Sequence, residues 1–221
     1  FCDLPPPEPS IKNNPYATHY RGSSFNTRSA QLPRPVVNMR TFSQPSAGCF
    51  AGDCEVNVSV NKNGEQVIEK RCLKNLRKGD SVETNTGKFS EIQCIVKTKC
   101  PDNKVVLYTI GRLKSTPWHP VYIPSTKSWA FPIDLARETA TEYHEEFVYS
   151  FVVENSQYMK IEGQYGITLG HGIIDDPVAS HSFWGTQSVI KCLQQKEGWK
   201  EGVVEISKSI RNSYGVVIAV E

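Results

Sequence analysis

The 221-residue chain lacks a dominant charge: 25 Lys and Arg stand against 23 Asp and Glu, a formal net charge of +2. Such a balance builds neither the basic field of a nucleic-acid binder nor an acidic tail. Long apolar runs are missing too. The longest aliphatic stretches, such as Val216-Val217-Ile218-Ala219-Val220, fall far short of the roughly 20 residues a membrane-crossing helix needs. No C-x-x-C pair occurs, and the nearest spacings, Cys49 with Cys54 and Cys94 with Cys100, do not match a zinc knuckle. The expectations are therefore no metal, no other cofactor, no nucleic-acid partner and no membrane span. Seven cysteines leave at least one thiol unpaired, which weighs against a secreted disulfide module. Because the chain opens on Phe1 rather than Met, it reads as a piece of a longer parent.

Composition changes near position 48. Residues 1–48 hold 8 of the 14 prolines, two glycines and a local charge of +3, with apolar residues scattered singly. This stretch reads as an extended, Pro-rich flanking arm. From Cys49 onward short β-like stretches alternate with turn signals. Val56, Val58 and Val60 occupy alternate positions before Asn61-Lys62-Asn63-Gly64, a hairpin pattern. Further strands are predicted at 92–96, 105–110, 121–123, 203–206 and 216–220, with turns at 78–80 and 85–87. The strongest strand spans 147–153, and the turn at Asn155-Ser156 predicts a hairpin with 158–161. One helix is expected after Thr186, with Val189, Ile190 and Leu193 on one face, ending before Gly198. The body is thus read as all-β, with one late helix.

Two patterns repeat, Thr116-Pro117-Trp118-His119 and Thr168-Leu169-Gly170-His171, each after a hairpin-like region. A hydroxyl and an imidazole three residues apart in a turn can address one acceptor, the first by hydrogen bonding and the second by proton transfer. Pro117 and Pro120 bracket the first pattern and restrict its backbone. The plainer alternative for His119 is a buried, hydrogen-bonded structural residue. The third element is Gly48-Cys49-Phe50-Ala51-Gly52-Asp53-Cys54, where the arm meets the body. A cysteine there has its own upstream carbonyl within reach of its sulfur, and Gly48 leaves that carbonyl unobstructed. Attack converts the amide to a thioester, provided that oxyanion donors and an acid for the departing amine are at hand. Thr116 and His119 could supply these, with Asp53 orienting the network. Otherwise Cys49 is a small buried hydrophobe.

Together these segments resemble the Hint domains of Hedgehog proteins and inteins, most closely the Vint type found downstream of von Willebrand A domains. The likeness runs over about 48–195. It rests on Gly48-Cys49-Phe50-x-Gly52-Asp53, Leu73-x-x-Leu76-x-x-Gly79-Asp80-x-Val82, Thr116-x-x-His119, the stretch Val148 to Glu154, Leu169-Gly170-His171-Gly172 and His181-Ser182-Phe183-Trp184-Gly185-Thr186.

The resemblance implies a horseshoe of intertwined hairpins with pseudo-two-fold halves over 49–195, preceded by the arm and followed by a β extension over 196–221. It implies that Cys49 performs an N-to-S acyl shift on the Gly48–Cys49 bond, that Thr116 orients or polarises the Gly48 carbonyl, and that His119 protonates the leaving amine. His171 takes the place of the penultimate histidine of inteins, with Thr168 in support; the alternative for His171 is a structural role. Splicing is not expected, because Gly172 follows His171 and no Asn lies between Asn155 and Asn212. Hedgehog domains activate a sterol with an Asp, whereas Gln93-Cys94-Ile95-Val96-Lys97-Thr98 has none. Cys94 is a candidate second thiol near the site, the alternatives being packing or a resting disulfide. His181, His144 and His19 are assigned to structure or solvent. The implied substrate is the chain's own N-terminal flank, the acceptor is water or another small nucleophile, and the implied neighbour in the parent is a von Willebrand A domain. The competing reading is a catalytically silent Hint-like binding or spacer module.

Overall fold

The computed structural model describes residues 48–85 and 87–221; apart from Gly48, the expected arm lies outside them. The elements in chain order are β1 (Phe50–Ala51), β2 (Glu55–Lys62), β3 (Glu65–Cys72), β4 (Ser81–Asn85), β5 (Lys88–Lys99), β6 (Lys104–Ile110), β7 (Leu113–Ser115), β8 (Val121–Ile123) and β9 (Ser128–Ala130). They continue with α1 (Pro132–Leu135), β10 (Thr141–His144), β11 (Phe147–Val153), β12 (Tyr158–Ile161), β13 (Gln164–Ile167), α2 (Gln187–Leu193), β14 (Val203–Ile206), β15 (Ser209–Arg211) and β16 (Val217–Val220). Fourteen of the described strands form one continuous sheet, ordered β10-β6-β7-β1-β11-β5-β4-β2-β12-β13-β8-β9, with β3 added to β2 and β14 to β5. The protein is mostly β, as expected. No helix among the described residues is long and apolar enough to cross a membrane.

Alternation makes the hairpin of β2 and β3. Val56 and Val58 are buried while Asn57 and Ser59 are partly exposed, and Asn63 and Gly64 adopt φ of 55° and 92°. Positive φ at both central residues is the signature of a turn whose twist matches that of the flanking strands. The segment Leu73 to Val82 also serves the fold. Leu73, Leu76 and Val82 are buried, and the Asp80 carboxylate accepts the Arg77 backbone N–H and an Arg71 N–H, both at 2.7 Å. One pairing departs from the sequence reading: β11 and β12 form as predicted but make no hairpin. Both edges of β11 are taken, by β1 (Phe50 opposite Tyr149) and by β5 (Val96 opposite Ser150), so β12 crosses over to β13 and β2.

The long β5 is buried on both faces. Ile95 joins a cluster with Cys49, Phe50, Phe151 and Leu113, whereas Cys94 and Val96 join a second cluster with Val152, Phe183, Val189, Leu193, Val204 and Val217. The helix α2 packs its Val189 and Leu193 face into that second cluster, and Thr186 caps it by accepting the Ser188 N–H at 3.2 Å. The region read as an extension over 196–221 contributes β14, parallel to residues 95–98 of β5. The one-turn α1, opened by Pro132, was not foreseen.

A glycine sets the closest approach in the first cluster. A Cβ on Gly166 of β13 would lie 2.2 Å from Phe50 Cζ, so the Phe50 ring rests directly on the backbone there. Gly166→Ala is therefore expected to destabilise the fold by about 1–3 kcal/mol, the usual cost of overpacking, visible as a lower urea midpoint with an unchanged m-value.

Candidate functional site

Strand pairing brings four segments around the Gly48–Cys49 peptide. Because β1 lies between β7 and β11, Thr116 at the end of β7 sits on one side of Cys49 and Ser150 of β11 on the other. The Thr116 hydroxyl accepts the Cys49 N–H at 3.0 Å and donates to the Cys49 carbonyl at 3.2 Å, while the Thr116 N–H donates to the same carbonyl at 2.9 Å. Thr116 thus brackets Cys49 itself rather than polarising the Gly48 carbonyl, the place that the resemblance implied. The donor at the Gly48 carbonyl is the Ser150 hydroxyl, at 2.5 Å. Cys49 Sγ lies 3.3 Å from Ser150 Oγ and 3.6 Å from Thr98 Oγ1. Gly48 has φ of 87°, a backbone region that favours glycine.

His119 closes the turn that begins at Thr116: its N–H donates to the Thr116 carbonyl at 3.3 Å, with Pro117 at the position where a fixed φ suits such a turn. The turn is buttressed from α1, since the Ile133 N–H donates to the Pro117 carbonyl and Trp118 packs edge-on against Phe131, 5.3 Å between centroids. The imidazole is 2% exposed and packs at a tilt against the Phe50 ring, 3.8 Å between centroids. Its Nε2 lies 2.9 Å from the Ile167 carbonyl. A carbonyl only accepts, so in the neutral ring the proton sits on Nε2 and Nδ1 carries a lone pair. Nδ1 has no hydrogen-bond partner and faces Gly48, 3.7 Å from where a Cβ on that residue would stand.

Burial keeps both Cys49 and His119 uncharged. It depresses the His119 pKa to about 4, despite the neighbouring Ile167 and Gly48 backbone groups. It also raises that of Cys49, against the pull of Ser150 and Thr98. The resting pair is neutral thiol and neutral imidazole.

The second pattern does not form a matching pair. Thr168 donates to the Ser156 carbonyl at 2.8 Å, and His171 Nδ1 accepts the Ile173 N–H at 3.0 Å. What this turn contributes is support: Ile167, just before it, holds His119. Both turns meet in one small cavity lined by Gly48, Trp118, His119, Leu169, His171 and Trp184, among others. His181 Nδ1 accepts the N–H groups of Phe183 and Trp184 at 3.0 and 3.1 Å.

Two supporting residues fall elsewhere. Asp53 pairs with the Lys114 ammonium, half-exposed at the surface, and does not face the thiol. Cys94 belongs to the second cluster, with Sγ 3.6 Å from the Ile95 carbonyl; the thiols that share a cluster with Cys49 are Cys54 and Cys100. The six described cysteines are all free. Among the described residues no group of three or more His, Cys, Asp or Glu is placed to hold a metal ion. Ser150 and Thr98 escaped sequence reading because a small hydroxyl inside a strand carries no motif; only the register of β1, β11 and β5 reveals them.

His119, His171 and His181 are all buried and all lowered to about 4 by burial. Unfolded histidines take up protons near pH 6.5, so the three have no effect on stability above that pH. Each costs up to about 1.4 kcal/mol per pH unit as the pH falls from 6.5 toward 4, where the unfolded chain binds protons that the native state refuses. Urea unfolding between pH 7.5 and 4.5 should show this decline, with a shallower slope in His171→Gln.

No curated protein matches the chain. Among solved structures, it is similar to the VidaL intein (selenomethionine variant), with 11% identity and a TM-score of 0.41, covering 55% of this chain and 97% of that one. The family model described as "Vint: Hint-domain" matches residues 48–219, a span that begins at the glycine of the Gly48–Cys49 junction and takes in every residue gathered around it. The chain belongs to the Vint family of Hint domains.

Proposed function

We propose that the protein cleaves its own Gly48–Cys49 peptide bond by an N-to-S acyl shift, after which water or another small nucleophile resolves the thioester without splicing. The observation that carries this reading is the pair of contacts on one peptide unit: Ser150 donates to the Gly48 carbonyl while Thr116 accepts the Cys49 N–H. The bond is gripped at both ends, with Cys49 Sγ 3.3 Å from the same Ser150 hydroxyl.

The chemistry follows from the tautomer. Sγ attacks the Gly48 carbonyl carbon as its proton passes to His119 Nδ1, and Ser150 stabilises the developing oxyanion. The proton then moves from Nδ1 to the Cys49 nitrogen, the C–N bond breaks, and a thioester and a free α-amine result. A buried imidazole that holds its proton weakly hands it on readily. Thr116 keeps the nitrogen oriented throughout. Gly172 rather than an Asn follows His171, so the N-terminal flank is released rather than joined to another segment. By resemblance, the released flank would carry an upstream von Willebrand A domain.

Incubation with dithiothreitol, followed by intact mass measurement, should yield one fragment ending at Gly48 and one beginning at Cys49, with no cleavage in Cys49→Ala. Ser150→Ala is expected to slow cleavage by about 10²–10³-fold, the effect of losing one oxyanion donor. His119→Ala should slow it by about 10²–10⁴-fold, the usual contribution of a general acid–base group. A wild-type chain that stays whole under these conditions would refute the reading.

A further inference from the structure

The cavity beside the junction has a volume of about 30 Å³, room for a single water molecule and far below the several hundred Å³ of pockets that hold sterol-sized ligands. Two of its lining residues carry buried polar atoms with no hydrogen-bond partner: His119 Nδ1, an acceptor, and Trp184 Nε1–H, a donor. Orphaned buried polar groups are rare and call for an explanation. A water between them would answer both, donating to Nδ1 and accepting from the indole. Gly48 lines the same cavity, so the acyl carbon is the adjacent electrophile. His171 lines it too, but its Nδ1 already accepts the Ile173 N–H. Its neutral ring therefore carries the proton on Nε2 and cannot serve as the base.

We propose that water held between His119 and Trp184 is the acyl acceptor, with His119 acting a second time as its general base and Trp184 as a positioning residue; the role rests on the self-cleavage proposed above. Once the amine has left, Nδ1 is bare again. The water oxygen bonds to the Gly48 carbonyl carbon as one water proton passes to Nδ1. The tetrahedral oxyanion, held by Ser150, collapses with expulsion of Cys49 sulfur, and the thiolate takes the proton back from Nδ1. The products are a Gly48 carboxyl group and a free Cys49 thiol, with no other reactant consumed.

The Trp184 backbone is well anchored for this task. Its N–H donates to His181 Nδ1 and its carbonyl accepts the Gly170 N–H at 2.8 Å. This gives a purpose to the segment from His181 to Thr186, which the self-cleavage chemistry alone leaves without one.

The test uses Trp184→Phe, which keeps an aromatic ring and deletes the N–H. Wild type and variant are incubated in H₂¹⁸O with and without hydroxylamine, an acceptor that captures a thioester without needing a base, and the fragment ending at Gly48 is weighed as acid or hydroxamate. Wild type should release acid bearing one ¹⁸O from solvent, and the acid-to-hydroxamate ratio should fall at least tenfold in Trp184→Phe. An unchanged ratio, or equal loss of both products, overturns the role of Trp184, since a merely structural defect would lower both together. Hydroxamate without any labelled acid in wild type overturns water as the acceptor. Absence of both products in wild type overturns the thioester reading itself, an outcome distinct from the others.

Discussion

The hydrogen bond from His119 Nε2 to the Ile167 carbonyl, 2.9 Å long, fixes which imidazole nitrogen is basic, and the rest of the centre depends on that choice. With the proton held on Nε2, the Nδ1 lone pair faces Gly48; with the ring turned over, Cε1 would take the place of Nε2 and the bond to Ile167 would be lost. Ile167 is placed by β13, which pairs with both β12 and β8, and its own N–H donates to the Pro120 carbonyl. The two strands and the His119 turn therefore lock one another. Phe50 adds the remaining constraint, filling the space between Gly166 and the imidazole.

Cys49 and His119 were legible in the sequence because each carries a local sign: a glycine-preceded cysteine at a change of texture, and an imidazole spaced from a hydroxyl by a Pro-containing turn. Thr116 was legible as a participant but not in its contact, since whether its hydroxyl meets Cys49 or the Gly48 carbonyl is decided by the register between β7 and β1. Ser150 was hidden for the same reason, lying among Val148, Phe151 and Val152 in a stretch that reads as pure strand. The false hairpin of β11 and β12 came from treating sequence neighbours as spatial ones, a rule that holds only where a strand has a free edge. The second turn repeats the spacing of the first, yet its threonine hydroxyl and its histidine Nδ1 are engaged by backbone groups.

The neutrality of the resting centre has a structural origin and a kinetic meaning. A surface cysteine at neutral pH is a few per cent thiolate; a thiol buried with a histidine whose pKa lies near 4 has almost none. Desolvation thus suppresses reaction with solutes, and the proposed cleavage would need only an internal proton path from sulfur through imidazole to nitrogen. The cost is borne in stability, because three uncharged histidines under one roof make acid the natural enemy of the fold.

The strand β1 contains two residues, yet it lies in the interior of a fourteen-stranded sheet, hydrogen-bonded on both sides. A body that begins at Cys49 would therefore start its chain in the middle of the core rather than at a loose tip. An aminopeptidase needs several free residues to thread, and such a body offers it none. Its persistence among proteases would be governed by internal segments such as that around Ile174, 80% exposed, and the newly made terminus would be the last part of the molecule to be trimmed.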